Sequence, residues 1–346
     1  MLNFNYNVST RILFGKNKVK ELGDEVKQYS DSILLVYGRG SVKKTGLYNK
    51  IIKSLKKNNI SYKELSGIQP NPRITSVRKG IELCKENNID FILAVGGGSV
   101  IDCSKAIAAG FYWNKDPWSL FLEDERKIKK ALPIGTVLTL AATGSEMNGN
   151  AVISNEETKD KMAIHNDKLR PKFSILDPTL TFTVPKKHTA AGTVDIYSHI
   201  LEQYFSLTRG AFVQDRISEA LMKSCINYSP IVMKEPENYE ARANLMWAGS
   251  LALNGLIGYG KITDWATHMI EHSVSALYDV THGIGLAILT PFWMEYVLDE
   301  KTVPKFAEYA KNIWNLNGTD DMKLARESIE KTKEFFKSLE MPKTLK

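Results

Sequence analysis

The sequence has few cysteines and no long apolar run. Its three cysteines lie far apart, which excludes a disulfide framework and a cysteine-based zinc knuckle and suits a reducing cytosol. No stretch of about 18 apolar residues is present, so we expect no membrane-spanning helix. The first residues lack the basic segment and apolar core of a secretory signal, and we expect none. With 23 glycines and 12 prolines in 346 residues, the chain is neither collagen-like nor of low complexity.

Charge of one sign is not concentrated in any segment either. The chain has 46 basic and 39 acidic residues, a formal net charge of +7. Lysines are mixed with acids, and basic clusters are short, such as Lys127–Lys130. This pattern indicates a solvated, lysine-rich surface, so we expect neither nucleic acid nor a membrane as partner. The length suggests about two domains.

The two halves of the chain differ in their apolar pattern. In the first half, continuous apolar runs such as Ser32–Tyr37, Phe91–Val95 and Ala131–Thr139 alternate with helical patterns, which predicts a parallel sheet covered by helices. After Pro185, five segments have helical periodicity and almost none reads as a strand. We therefore predict an α/β domain over residues 1–184 and an all-α domain over residues 185–346.

A glycine turn follows the predicted strand Phe91–Val95. Three glycines end at Gly98, and Ser99 opens the next helix. Glycines let backbone amides approach a ligand, and a helix N-terminus attracts anions, so the turn predicts a diphosphate site. A plain turn capped by Ser99 is the alternative.

Two further loops also follow predicted strands. Residues 38–41, at the end of the first buried strand, contain no acid that would repel a 2′-phosphate from the adenine ribose, and they include Arg39. This loop would tolerate or favour NADPH, although it could be a simple surface turn. The small, polar segment Thr139–Met147 is a weak signal of nucleotide contact by itself.

Histidines in the second half have a spacing that suggests a metal site. Asp195 precedes His199 by four residues, and His268 precedes His272 by four, so each pair shares a helix face. His282 follows in a predicted loop. Imidazoles and a carboxylate from two helices and a loop could bind Fe²⁺ or Zn²⁺. The alternative is a set of merely hydrogen-bonded histidines.

Together these motifs resemble the iron-containing (group III) alcohol dehydrogenases, in the branch of NAD(P)H-dependent butanol dehydrogenases and aldehyde reductases. The segments that carry the resemblance are YGRGSVKKTG, the PNP at 70–72, AVGGGSVIDCSKAIA, TLAATGSEMNGNAVI, AGTVDIYSHILEQYF and HMIEHSVSALYDVTHGIGLAIL. The resemblance implies a fold like that of dehydroquinate synthase. A dinucleotide-binding α/β domain and a helical metal-binding domain would flank the active site.

The resemblance also assigns site residues. It places the four metal ligands at Asp195, His199, His268 and His282, and it makes His272 a catalytic histidine near substrate and nicotinamide. The positions that it assigns to the dinucleotide are Gly38, Arg39, Gly40, Ser41, Gly97, Gly98, Ser99, Asp102, Thr139, Leu140, Thr143, Ser145 and Lys161. Trp118, Phe121, Tyr259 and Trp265 could line an apolar substrate pocket or simply pack in the core.

The implied reaction is hydride transfer between NAD(P)H and a short-chain aldehyde or primary alcohol, with a divalent metal as Lewis acid. A cytoplasmic homodimer is expected. The alternatives are a polyol (glycerol-type) dehydrogenase, a dehydroquinate-synthase-like lyase, or a non-catalytic remnant. The last reading arises because members of the family normally continue beyond the equivalent of Lys346 with further helices.

Overall fold

The computed structural model describes residues 1–345, which form two compact units. One unit spans Val8–Thr183. The other begins at Val184 and includes Met1–Asn7. The sequence-based division placed these first seven residues with the α/β domain. They group with the helical unit because, for example, the Leu2 amide donates to the Gly260 carbonyl over 2.8 Å.

The first unit is built on a parallel sheet, as the sequence predicted. Its strands are β1 (Arg11–Phe14), β2 (Ser32–Gly38), β3 (Ser61–Ile68), β4 (Phe91–Gly96), β5 (Ile134–Leu138), β6 (Asn150–Asn155), β7 (Asp160–His165) and β8 (Phe173–Leu176). Six of them form one sheet in the order β1-β8-β5-β4-β2-β3, and all pairs in it are parallel. The remaining two, β6 and β7, form an antiparallel hairpin.

Helices cover the sheet on both faces. They are α1 (Leu22–Lys27), α2 (Ser41–Lys44), α3 (Leu47–Lys57), α4 (Ile74–Glu86) and α5 (Gly98–Gly110). Apolar residues of α1 and α3 share one core cluster with Ile33, Leu35 and Leu93. The alternate residues Leu34 and Ile92 point to the opposite face and are also buried. This two-sided burial explains why the strands read as continuous apolar runs.

The strand order creates a topological switch between β2 and β4. From β2 the chain moves to β3 on one side, whereas β4 and then β5 lie on the other side. Tyr37 pairs with Val95, and Gly96 pairs with Leu138, so β2, β4 and β5 end at one edge of the sheet. Ligands of open α/β sheets bind at such an edge.

The second unit is helical, and no strand occurs in its described residues. Its helices are α6 (Lys186–Tyr204), α7 (Phe212–Lys234), α8 (Tyr239–Ala252), α9 (Ala266–Tyr278), α10 (His282–Tyr296), α11 (Val303–Trp314) and α12 (Asp321–Ser338). All residues of α6 from Thr189 to Tyr204 are buried, because α7, α8 and α10 pack around this helix. Within residues 1–345, no helix is both long and apolar enough to cross a membrane.

Candidate functional site

Three helices of the second unit bring the predicted metal ligands together. Asp195 and His199 lie one turn apart on the buried helix α6, and His268 lies in α9. His282, expected in a loop, is instead the first residue of α10. From Asp195 Oδ1, the distance is 3.4 Å to His199 Nδ1, 3.5 Å to His282 Nε2 and 3.9 Å to His268 Nε2. Ligand atoms of Asp195, His268 and His282 all lie within 4.8 Å of one another.

Two glutamates hold two of these rings from behind. The His268 Nδ1 faces Glu202 Oε2 in a close hydrogen bond, and the His282 Nδ1 faces Glu271 Oε2 in the same way. Glu202 also accepts from the Thr267 amide over 2.7 Å. A carboxylate on Nδ1 fixes the ring and leaves Nε2 free to bind a metal. Sequence reasoning missed both glutamates, although Glu202 follows His199 by three residues and Glu271 follows His268 by three.

The cluster fits a divalent cation, because it contains buried polar atoms that lack protein partners. Asp195 Oδ1, His199 Nδ1 and His268 Nε2 are buried, and no described residue offers them a hydrogen bond. Each such atom costs about 1–3 kcal/mol if it is left unpaired. One carboxylate and several imidazoles are the donors that Fe²⁺ and Zn²⁺ prefer.

The ionisation of the cluster agrees with this donor set. Burial alone would raise the pKa of Asp195, but the neighbouring His199 and His282 lower it to about 2. Burial lowers the pKa of His199 to about 4, which keeps that ring neutral. Burial also disfavours a charged His268, yet Asp195 and Glu202 raise its pKa to about 9. A cation bound here would take the place of that proton.

His272, the predicted catalytic histidine, lies beside this group rather than in it. It follows His268 by one turn of α9 and is buried. Its ligand atom lies within 4.8 Å of those of Glu271 and His282, and the ring centroids of His272 and His282 are 5.7 Å apart. Trp265 packs against His268, and their ring centroids are 5.4 Å apart.

In the first unit, the predicted dinucleotide loops lie at the carboxyl edge of the sheet. The glycine turn follows β4, and the segment from Thr139 follows the adjacent β5. A Cβ atom on Gly98 would lie 2.3 Å from Thr143 Oγ1, and one on Gly97 would lie 3.2 Å from Leu140 Cβ. The two loops therefore touch, and a side chain at Gly98 would displace Thr143.

Other predicted dinucleotide residues form a buried network next to this contact. Ser145 Oγ donates to Asp102 Oδ1 over 2.5 Å, and the Val152 amide donates to Asp102 Oδ2 over 3.1 Å. Burial raises the pKa of Asp102, while the charges of Lys105 and Lys161 oppose this shift. Asp102 thus uses both carboxylate oxygens within the protein. Lys161 lies in β7, near enough to act on Asp102 by its charge.

The loop at residues 38–41 follows β2 on the other side of β4. A hydrogen bond restrains the Arg39 side chain, because its Nη2 donates to Gln69 Oε1 over 2.8 Å. Gly38 closes the strand, and Ser41 begins the short helix α2. The three predicted dinucleotide loops therefore follow three neighbouring strands.

The four candidate pocket aromatics have different surroundings. Trp118 and Phe121 are buried in the first unit and stack on each other, with centroids 5.4 Å apart, as core residues do. Tyr259 stacks with Phe4 of the N-terminal segment. Only Trp265 borders the histidine cluster.

Comparison with known proteins matches both units to the same protein family. Residues 9–178 match the family described as iron-containing alcohol dehydrogenase, and residues 189–346 match the C-terminal region of the Fe-containing alcohol dehydrogenase family. NADH-dependent butanol dehydrogenase A of Clostridium acetobutylicum is 55% identical, over 100% of this chain and 89% of that protein. The NADPH-dependent aldehyde reductase YqhD of Escherichia coli is 42% identical, over 99% of this chain and 88% of that one. The crystal structure of NADH-dependent butanol dehydrogenase A from Thermotoga maritima has a TM-score of 0.96 and 42% identity, over 100% of this chain and 86% of that chain. This chain therefore belongs to the iron-containing alcohol dehydrogenase family.

Proposed function

We propose that the protein is a metal-dependent oxidoreductase that transfers hydride between NAD(P)H and short-chain aldehydes or primary alcohols. The observation that carries this proposal is the cluster of buried, unpartnered donor atoms on Asp195, His199 and His268, in a member of this family. Relatives named as butanol dehydrogenases and as an aldehyde reductase support the substrate class.

Asp195, His199, His268 and His282 would hold the metal. A divalent cation, Fe²⁺ or Zn²⁺, supplies Lewis acidity toward a carbonyl group when it is bound. Glu202 and Glu271 orient two of the rings, so the ligand nitrogens are positioned before any cation arrives.

The dinucleotide would bind at the carboxyl edge of the sheet. The unpaired first-turn amides of α5 at Gly98 and Ser99 suit the diphosphate. The segment from Thr139 to Ser145 would line the nicotinamide half. Lys161 would reach the nicotinamide ribose. Residues 38–41 would contact the adenine ribose and admit a 2′-phosphate.

His272 is the proposed proton carrier for the alcohol oxygen. Its ring lies next to that of His282, so it is close to the cluster without belonging to the group formed by Asp195, His268 and His282. A histidine in that position could exchange a proton with substrate or water as a general acid or base. Trp265 would give the substrate an apolar wall.

The test is oxidation of NADH and NADPH by the purified, metal-loaded protein with butanal, run together with metal analysis. We expect NAD(P)H consumption that a chelator stops and added metal restores. His268→Ala should lose both bound metal and activity. His188→Ala, at an exposed position in the first turn of α6, is the control and should keep both. Full activity of His268→Ala would refute the metal assignment. A clear preference for glycerol over butanol would favour the polyol alternative.

We further propose a homodimer in the cytoplasm. The three free, buried thiols suit a reducing compartment. The edge strand β1 pairs with β8, and that is its only partner in the sheet described here, so its outer side could accept a strand from a second chain. Size-exclusion chromatography with light scattering measures the mass of the protein in solution directly. A monomer at all concentrations would contradict the dimer.

A further inference from the structure

Lys105 is a fully buried lysine that the proposed function does not use. It lies in α5, and its ammonium group contacts four oxygens of one segment of chain. The distances from Lys105 Nζ are 2.9 Å to Ser145 Oγ, 2.9 Å to the Asn148 carbonyl, 3.0 Å to Asn148 Oδ1 and 2.8 Å to the Asn150 carbonyl. Ser145 ends the Thr139–Ser145 loop, and the other three oxygens belong to residues that directly follow it.

Asp102 binds the same segment from the preceding turn of α5. Its two oxygens accept from Ser145 Oγ and from the Val152 amide. Taking an ammonium group out of water is costly, and burial lowers the pKa of Lys105 to about 7 even though Asp102 and Glu146 act to raise it. The four oxygens offset part of this cost, so Lys105 ties the segment of residues 145–150 to α5.

The segment that Lys105 holds is connected to the glycine turn. Asn148 Nδ2 donates to the Thr143 carbonyl over 3.3 Å, and the Ser145 amide donates to Thr143 Oγ1 over 3.3 Å. Thr143 in turn packs directly on Gly98. A continuous chain of contacts thus runs from the buried ammonium group to the place where the two predicted dinucleotide loops meet.

We propose that Lys105, together with Asp102, is a positioning residue for the dinucleotide. It fixes the Thr139–Ser145 loop against the glycine turn in the free protein, so that the coenzyme does not have to order this loop when it binds. A loop that is organised before binding lowers the free-energy cost of binding without any new contact to the ligand. This inference rests on the proposed function, because it presumes that these loops bind NAD(P)H.

The principal test is Lys105→Met, which removes the ammonium group and keeps most of the side-chain volume. The dissociation constant for NADH and NADPH, measured by fluorescence titration, should rise about tenfold, the size expected from losing a hydrogen-bonded charged group. At saturating coenzyme, the KM for butanal should change less than about twofold, because the variant leaves the helical unit untouched.

Lys261→Met is the matched control. The Lys261 side chain is buried and donates to Asp215 over 2.9 Å, but it lies in the helical unit. Both variants should lower the melting temperature, and only Lys105→Met should weaken coenzyme binding. If the two variants lose stability alike and both bind coenzyme as the wild type does, Lys105 is merely structural and the inference is wrong.

A second, milder variant covers the case in which Lys105→Met does not fold. Asn148→Ala removes the Oδ1 that accepts from Lys105 and the Nδ2 that donates to Thr143, so it cuts the connection at its middle. We expect coenzyme binding to weaken about threefold or more. Wild-type affinity in this variant would overturn the inference and leave the proposed function intact. A wild-type protein that binds neither NADH nor NADPH would overturn both.

Discussion

The substitution Glu202→Gln tests whether the proposed metal ligand His268 must be held in one orientation, because it leaves the histidine itself in place. Glu202 is buried in α6, and its side chain contacts His268 Nδ1 and the Thr267 amide. Glutamine has the same shape, so the fold should be retained. It replaces one carboxylate oxygen with an N–H donor. That donor would face either His268 Nδ1 or the Thr267 N–H.

Both orientations of the glutamine amide are unfavourable for the metal. If the amide nitrogen faces Nδ1, that atom becomes an acceptor and the ring proton moves to Nε2, the nitrogen that lies 3.9 Å from Asp195 Oδ1. A protonated nitrogen cannot bind a cation. If the amide turns over, its N–H₂ group meets the Thr267 N–H. Changes to carboxylates behind metal-binding histidines cost about 10- to 100-fold in metal affinity, which is about 1.4–2.7 kcal/mol.

The assay is competition for Zn²⁺ between the metal-free protein and a chelator of known affinity, with anaerobic Fe²⁺ as a second metal. We expect the variant to bind either metal 10- to 100-fold more weakly and to recover activity in excess metal. Glu219→Gln is the control, since Glu219 is a buried carboxylate of the same unit that accepts from Tyr204 and Asn312. Equal metal affinity in Glu202→Gln and the wild type would refute the reasoning.

Three further predictions concern other parts of the chain. Gly98→Ala would place a Cβ 2.3 Å from Thr143 Oγ1, so it should cost about 1–3 kcal/mol of stability and raise the KM for coenzyme. Gly318→Ala, where the nearest atom is 3.6 Å away, is the control and should do neither. Thermal unfolding and steady-state kinetics measure the two effects. Arg39→Ala should reduce kcat/KM for NADPH about three- to tenfold more than for NADH, since a guanidinium recognises a 2′-phosphate, and equal losses would contradict this. Burial raises the pKa of Cys84 to about 12, and the other two thiols are also buried. A thiol reagent should therefore label none of the three cysteines in the native protein and all three in the unfolded chain. The free energy of unfolding should fall as the pH rises above 9.0, the ordinary pKa of a thiol, because only the unfolded chain loses these protons there.

Local pattern was sufficient to predict the elements of the first unit. The strand Phe91–Gly96 and the helix α5 were recognised because a buried strand and the helix after it have different apolar periods, and glycine separates them. The terminal helices α11 and α12 were not among the five predicted helical segments, although their buried apolar residues follow a helical period.

The candidate metal cluster could be predicted only in part from the sequence. The four-residue spacing of Asp195 and His199 implies a shared helix face whatever the fold, so that pair could be proposed from sequence. His282 was expected in a loop, yet it begins α10, because helix ends depend on local hydrogen bonds that spacing does not reveal.

By itself, the sequence determined which segments form strands and helices, and which residue types could bind a cation or a phosphate, because these properties depend on neighbours within a few positions. The tertiary structure alone decided which carboxylate stands behind each histidine, that Lys105 is buried against Asn148, and that Met1–Asn7 packs with the helical unit. Each of these contacts joins residues that are distant along the chain or whose directions depend on packing, and no local periodicity encodes such a meeting.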